Sequence, residues 1–161
     1  MLIGIISDTH DQLENVRKAV EIFFARGVDK VFHAGDIGSP QTLKLFAGLD
    51  VGFVFGNNDG EREMLTKRVE IIKAEIEGDV MVRECDEGKI VVYHGTVPTF
   101  LNALIKCGDY RLVITGHTHK VVNHLEGNTR VLNPGSAHGF NGPATFMIYD
   151  SAKDEAELIG L

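Results

Sequence analysis

FVFGNNDG, residues 53 to 60, begins as an apolar run suited to a buried strand, breaks at Gly56 and then delivers two amides and a carboxylate in a row. Asn57 and Asn58 neither gain nor lose a proton near neutral pH, so neither can act as a general acid or base. Their work is to bind, orient or cap. The same layout recurs along the chain: LIGIISDTH delivers Asp8 and His10, VFHAGD delivers Asp36, IVVYHG delivers His94, and LVITGHTH delivers His117 and His119. Each time an apolar strand ends in or near glycine and a metal-capable side chain follows. Ligands of open α/β sheets bind just beyond the carboxyl ends of strands, so these side chains are expected to converge on one crevice. The i, i+2 spacing of Asp8 with His10 and of His117 with His119 suits an extended segment, whose alternate residues point the same way.

Outward from these ends, LIGII (2–6), VDKVFHAG (28–35) and VGFVFG (51–56) read as strands alternating with helices. Asp11 and Glu14 have capping-box spacing for a helix through about Ala25, closed by Gly27, and Ser39-Pro40 is an N-cap with Pro at the first helical position. This βαβαβ order argues for parallel strands with right-handed crossovers. VMVREC (80–85) and KIVVYHG (89–95) around the turn DEGK then form an antiparallel hairpin, followed by a helix around 98–107. Strands at 111–116, 120–126, 129–133, 144–150 and 155–160 complete the chain. So many strands in so short a chain predict an α/β fold of two mixed β-sheets packed as a sandwich and flanked by helices.

At 161 residues the chain fits a single domain, 1–161, able to bury about 70% of its unfolded surface. Apolar residues at 43% and charged residues at 24% exclude disordered and fibrous classes. No apolar run approaches the ~20 residues of a membrane span, and the start lacks a signal-peptide pattern, so a cytoplasmic location is expected. Cys85 and Cys107 have no metal-like spacing and read as packing residues. With 16 Lys+Arg against 23 Asp+Glu the net charge is -7, which argues against non-specific nucleic-acid or membrane binding. A phosphate substrate would have to be drawn by bound cations rather than by surface lysines.

Asp8, His10, Asp36, Asn57, His94, His117 and His119 are too many ligands for one four-coordinate zinc and suit two ions if one carboxylate bridges. Oxygen and imidazole donors without thiolate favour manganese, nickel, iron or zinc. A metal pair is the device that clamps attacking and leaving oxygens in phosphoryl transfer, so phosphate-ester hydrolysis leads. The ordered set D8-x-H10, G35-D36, G56-N57-N58-D59, H94-G95 and G116-H117-T118-H119, extended by NPGS at 133–136, resembles the calcineurin-like metallophosphoesterases, and the short chain is similar to their small phosphodiesterase branch. That resemblance implies two divalent ions, manganese foremost. Asp8, His10 and His119 would hold one, Asn57, His94 and His117 the other, and Asp36 would bridge them. A metal-bridging hydroxide would then attack the phosphorus of a small phosphodiester, with the Asn57 region stabilising the phosphoryl oxygens and Asp59 orienting a ligand or assisting catalysis.

Asn58 departs from the family pattern, in which many catalytic members carry a His thought to protonate the leaving oxygen. General-acid help is commonly worth about 10²–10⁴-fold. Small members that lack it tend towards diesters, so a phosphodiesterase is expected over a phosphomonoesterase. Asn58 is read as a residue near the substrate or supporting a ligand, and Asn58 with Glu61 reads equally well as a capping box for a helix starting near Gly60, the two roles being compatible. His33, inside a strand, reads as a core histidine or one that supports a ligand. His138 in NPGSAHGFNG (133–142) reads first as a plain loop histidine and second as one that shapes a substrate pocket. His124 is expected on the surface, and Arg111, Lys120 and Arg130 can each approach a phosphate without one standing out. The rival readings are a non-catalytic scaffold like the retromer subunit that shares this fold, and a metal-dependent sensor. The absence of a P-loop argues against an NTPase. Oligomeric state stays open.

Overall fold

Ile3 and Ile5 bury against one set of side chains and Ile6 against another, so the first strand is covered on both faces, which is why its sequence is apolar throughout rather than alternating. The computed structural model describes residues 1–140 and 142–161. Asn141, inside the glycine-rich stretch 133–142, lies outside the described residues. One mixed sheet contains β1 (Leu2–Ile6), β2 (Lys30–His33), β3 (Val51–Phe53), β4 (Glu75–Ile76), β10 (Thr145–Asp150) and β11 (Glu155–Gly160), in the order β11-β10-β1-β2-β3-β4. The second contains β5 (Val80–Cys85), β6 (Gly88–Tyr93), β7 (Leu112–Ile114), β8 (Val121–Glu126) and β9 (Thr129–Pro134), in the order β5-β6-β7-β9-β8.

Three apolar layers hold these pieces. Ile3, Ile5, Phe32, Ile90, Val92 and Ile114 meet between the sheets. On the outer face of the first sheet lie α1 (Leu13–Arg26), α2 (Pro40–Lys44) and α3 (Arg62–Ile72), whose Phe23, Leu43 and Leu65 join Val31, Phe53 and Phe146. Phe23 meets Phe146 edge to face with ring centroids 5.0 Å apart, the arrangement favoured by aromatic quadrupoles. On the second sheet, α4 (Pro98–Lys106) sets Leu104 against Val91, Tyr93 and Val113. The expected sandwich of two mixed sheets with outer helices is the observed fold.

Local corrections are informative. Gly27 ends α1 in the left-handed conformation as expected, but the helix starts at Leu13 behind Gln12, without a side-chain cap. Asp11 is drawn away: its Oδ1 accepts hydrogen bonds from the Ser39 amide (2.9 Å), the Ser39 hydroxyl (2.8 Å) and the Thr42 hydroxyl (2.7 Å). The box at Asn58 and Glu61 also fails, because α3 starts behind an uncapped Glu61 while Asn58 turns to Asp36. Strands β2 and β3 stop short of the ends of the apolar runs, although Ala34, Val54 and Phe55 stay in the core, and the two-residue β4 carried no sequence signal. Cys85 is half-buried, but Cys107 is exposed at the end of α4 rather than packed.

Candidate metal centre

Parallel pairing aligns Ile6 with His33 and His33 with Phe53 in the first sheet, and Val92 with Ile114 in the second, so five strands finish at one edge of the sandwich. The loops beyond are tied to each other: the Asp8 amide donates to the Gly35 carbonyl (3.0 Å) and the Gly116 amide to the His94 carbonyl (2.9 Å). Asp8, His10, Asp36 and Asn57 thus come from the first sheet, and His94, His117 and His119 from the second. Two glycines let the loops close up. A side chain at Gly56 would run into the carboxylate and amide of Asp36, and one at Gly116 into the Ser7 hydroxyl and Asp8.

The expectation of extended segments at D-x-H and H-x-H is wrong. Asp8, His10, Asp36, His117 and His119 all have positive φ, between 40° and 66°, in the left-handed region. Such backbone costs of the order of 1–3 kcal/mol per non-glycine residue and collects at functional sites. Here the turns aim the side chains inward. Asp8 Oδ1 lies 3.1 Å from His119 Nε2 and 4.0 Å from His10 Nε2, while Asp36 Oδ2 lies 3.5 Å from His10 Nε2 and 3.4 Å from His94 Nε2. His94 Nδ1 lies 2.7 Å from the Ala34 carbonyl, a bond that puts its proton there and leaves Nε2 to face Asp36 and the Asn57 Oδ1, 3.1 Å away. The His117 ring centroid is 5.2 Å from that of His94. All seven side chains named from the sequence therefore line one crevice.

Asp8 and Asp36 are 0% and 1% exposed, and among the described residues their only ion-pair partners are histidines. Two buried carboxylates with no lysine or arginine beside them leave negative charge uncompensated, which divalent cations would offset. Asp8, His10 and Asp36 offer ligand atoms within 4.8 Å of one another, as do His10, His119 and His138. The donor set fits hard or borderline divalent ions. Burial alone would raise the Asp36 pKa, but the facing His94 imidazole and the hydrogen bonds from Asn58 hold it well below the ordinary carboxylate range. The partner responds in kind: burial would lower His94, and Asp36 raises it instead.

Of the readings open for Asn58, the geometry favours support of a ligand: it is a positioning residue for Asp36. Its amide N–H donates to Asp36 Oδ1 (2.8 Å) and its side-chain Nδ2 to Asp36 Oδ2 (2.7 Å), fixing the carboxylate from both sides. Asn58→Ala keeps the first bond and loses the second, so metal affinity measured by calorimetry should fall about 10–100-fold while the fold is kept. Unchanged affinity would show that the side chain does not hold Asp36. Asp59 overturns the catalytic expectation. It is 3% exposed and accepts from the amides of Gly56 (2.7 Å), Ile37 (2.8 Å), Asp36 (2.9 Å) and Gly38 (3.2 Å), so its oxygens face backbone rather than substrate. Burial pushes its pKa up against the pull of those amides.

The plain-loop reading of His138 is also corrected. The strand β9 exit runs beside β1, with the His138 amide donating to the Asp8 carbonyl (3.0 Å), and its Nε2 lies 3.3 Å from His119 Nδ1. The glycine-rich loop was the only sequence hint. His33 is a core histidine, fully buried against Phe46 and Phe53 with the Thr9 hydroxyl 3.0 Å from Nε2, and burial pushes its pKa down to about 3. A base whose folded pKa lies below its unfolded ~6.5 favours the native state at pH above 6.5 and withdraws that support as pH falls towards 3. The urea midpoint of metal-free protein should therefore drop across that window, and His33→Phe should flatten the drop; equal slopes would refute the buried neutral state. His124 is exposed as expected, Lys120 is exposed beside His119, and Arg111 and Arg130 are engaged with Asp154 at 3.0 and 2.8 Å, away from the crevice.

A cleft of about 710 Å³, lined by residues that include Arg26, Asn123, Asp150 and Glu157, touches none of the crevice residues. Two smaller ones flank the crevice, about 130 Å³ beside His119 and His138 and about 260 Å³ beside Asn57. Residues 1–154 match the model of the calcineurin-like phosphoesterase superfamily domain. The chain belongs to that family. It is 42% identical over 165 residues to a phosphodiesterase of Methanocaldococcus jannaschii, a match covering 100% of this chain and 99% of that one. Among solved structures it superposes on an archaeal phosphodiesterase with a TM-score of 0.95 at 40% identity, each chain fully covered. A zinc-complexed Vps29 from Entamoeba histolytica shares the fold at a TM-score of 0.69 and 22% identity, covering 99% of each chain. Membership in this family implies divalent metal ions, and among the described residues no helix is long and apolar enough to cross a membrane.

Proposed function

We propose that the protein is a phosphodiesterase working at a dinuclear site, with manganese as the first metal to try. The observation that carries this reading is the position of Asp36, whose Oδ2 lies 3.5 Å from His10 and 3.4 Å from His94, between the two sets of imidazoles. Asp8, His10 and His119 would hold one ion and Asn57, His94 and His117 the other, with Asp36 shared. When bound, the ions supply positive charge for the phosphoryl oxygens and an activated water as nucleophile.

The chain itself orients and shields. Asn58 and the Ala34 carbonyl fix Asp36 and His94, so little rearrangement is needed when charge develops. Asn57 presents Oδ1 beside His94 and its side chain is open to the crevice. Asn58 carries no transferable proton at the place where a general acid is expected, so the leaving group departs largely unassisted. That favours diesters with good leaving groups over monoesters. Residues 1–161 are taken as one catalytic unit.

The test is hydrolysis of bis(4-nitrophenyl) phosphate and 4-nitrophenyl phosphate by chelator-stripped protein with Mn²⁺ restored in steps. Metal-dependent turnover preferring the diester is expected. Monoester preference would mean that another group supplies the proton, and absence of turnover with any first-row divalent ion would favour a scaffold on the same fold.

A further inference from the structure

The cleft of about 260 Å³ opens at Asn57 and runs between the start of α3 and the loop after β6, past Phe55, Arg62, Asp79, Tyr93 and Thr96. It joins the crevice directly, since the Thr96 hydroxyl donates to Asn57 Oδ1 at 3.4 Å. Its walls are set in advance. Tyr93 Oη accepts from the Val97 amide at 2.8 Å, and Phe100 packs edge-on to the Tyr93 ring at 5.0 Å between centroids. Phe55 is 7% exposed and forms the floor. Over it lies the Arg62 guanidinium, its carbon 4.6 Å from the ring centroid.

Arg62 decides what the cleft would take. Its side chain remains 48% exposed, so with Phe55 covering one side of the guanidinium the other is free to stack a planar ring. Its charge, however, is spoken for: Nη2 lies 2.8 Å from Asp79 Oδ1. A neutralised pair in a chain of net charge -7 disfavours an arm that carries further anionic groups. The volume is also below the ~300–1,000 Å³ typical of sites enclosing a whole drug-sized ligand, so it suits one arm of a substrate whose phosphate sits elsewhere.

We propose that this cleft holds one arm of the diester, a planar uncharged ring such as a nucleobase or aryl group, stacked on the guanidinium of Arg62, which makes Arg62 a specificity-determining residue. This rests on the phosphodiesterase reading for the position of the phosphate, not for the existence of the ring site.

Two esters with the same leaving group test it: thymidine 5′-(4-nitrophenyl) phosphate and methyl 4-nitrophenyl phosphate. In the Mn²⁺-loaded wild type kcat/KM should favour the thymidine arm, and Arg62→Ala should cut that ratio about tenfold, mainly through KM. Arg62→Lys keeps the charge without the plane and should stay defective. A ratio unchanged within twofold in Arg62→Ala, or restored by Arg62→Lys, overturns the proposal. A second readout does without turnover: titrating thymidine into chelator-treated protein should shift the amide NMR signals of Gly56, Thr96 and Val97, and Arg62→Ala should abolish the shifts. No shift in the wild type overturns the ring site. Shifts without turnover of either ester would leave the ring site standing and remove the phosphodiesterase reading.

Discussion

Asp36→Ala should abolish metal binding and lower diester hydrolysis by more than the roughly 10–100-fold that loss of a supporting hydrogen bond costs at a metal site. Among the described residues Asp36 is the one carboxylate within 3.5 Å of imidazoles on both sides of the crevice, and the loops after β2 and β3 converge on it through Asn58. Removing it deprives both halves at once. Stability should fall as well, though less than activity. A carboxylate whose pKa the metal-free fold holds below its ordinary value is favoured there by His94 and Asn58, so at neutral pH the metal-free variant should melt somewhat below the wild-type temperature. Metal titration and thermal melting together check this. Wild-type turnover in the variant would sink the shared-carboxylate assignment, and a large fall in metal-free melting temperature would show that Asp36 is chiefly structural.

Asp59→Ala should be the most destabilising of the substitutions considered, by roughly 3–5 kcal/mol, because it strips the acceptor from four amides in a buried turn. Each orphaned donor loses a bond to a charged oxygen in a largely buried turn. Equilibrium urea unfolding reads the effect, and a midpoint within error of wild type would refute it. Activity should fall too, but indirectly, since the Asp36 amide is among the four.

The repeated phrase of apolar strand, glycine and polar payload made the sandwich and the seven crevice side chains legible, because a strand buried on both faces reads as an uninterrupted apolar run and its carboxyl end is where ligands gather. What stayed hidden is tertiary. Asp11 and Asn58 carry capping-box spacing, yet Asp11 is taken by Ser39 and Thr42 and Asn58 by Asp36, groups 22 to 31 residues away in sequence. Short-range spacing cannot weigh such competitors. The left-handed turns at Asp8, His10, Asp36, His117 and His119 were equally invisible, since aspartate and histidine tolerate that conformation without advertising it as glycine does. His138 reaches the crevice only because β9 exits alongside β1, a register that no local motif encodes.

The crevice straddles the rim where the two sheets meet, drawing on β1, β2 and β3 from one and β6 and β7 from the other. Any ion held by these side chains is therefore also a rivet. Its binding free energy adds to the cohesion of that rim in proportion to the logarithm of free metal. Depletion should loosen the amides of the Asp8, Asp36 and Gly116 loops first, visible as faster hydrogen exchange there while the layer between the sheets stays protected.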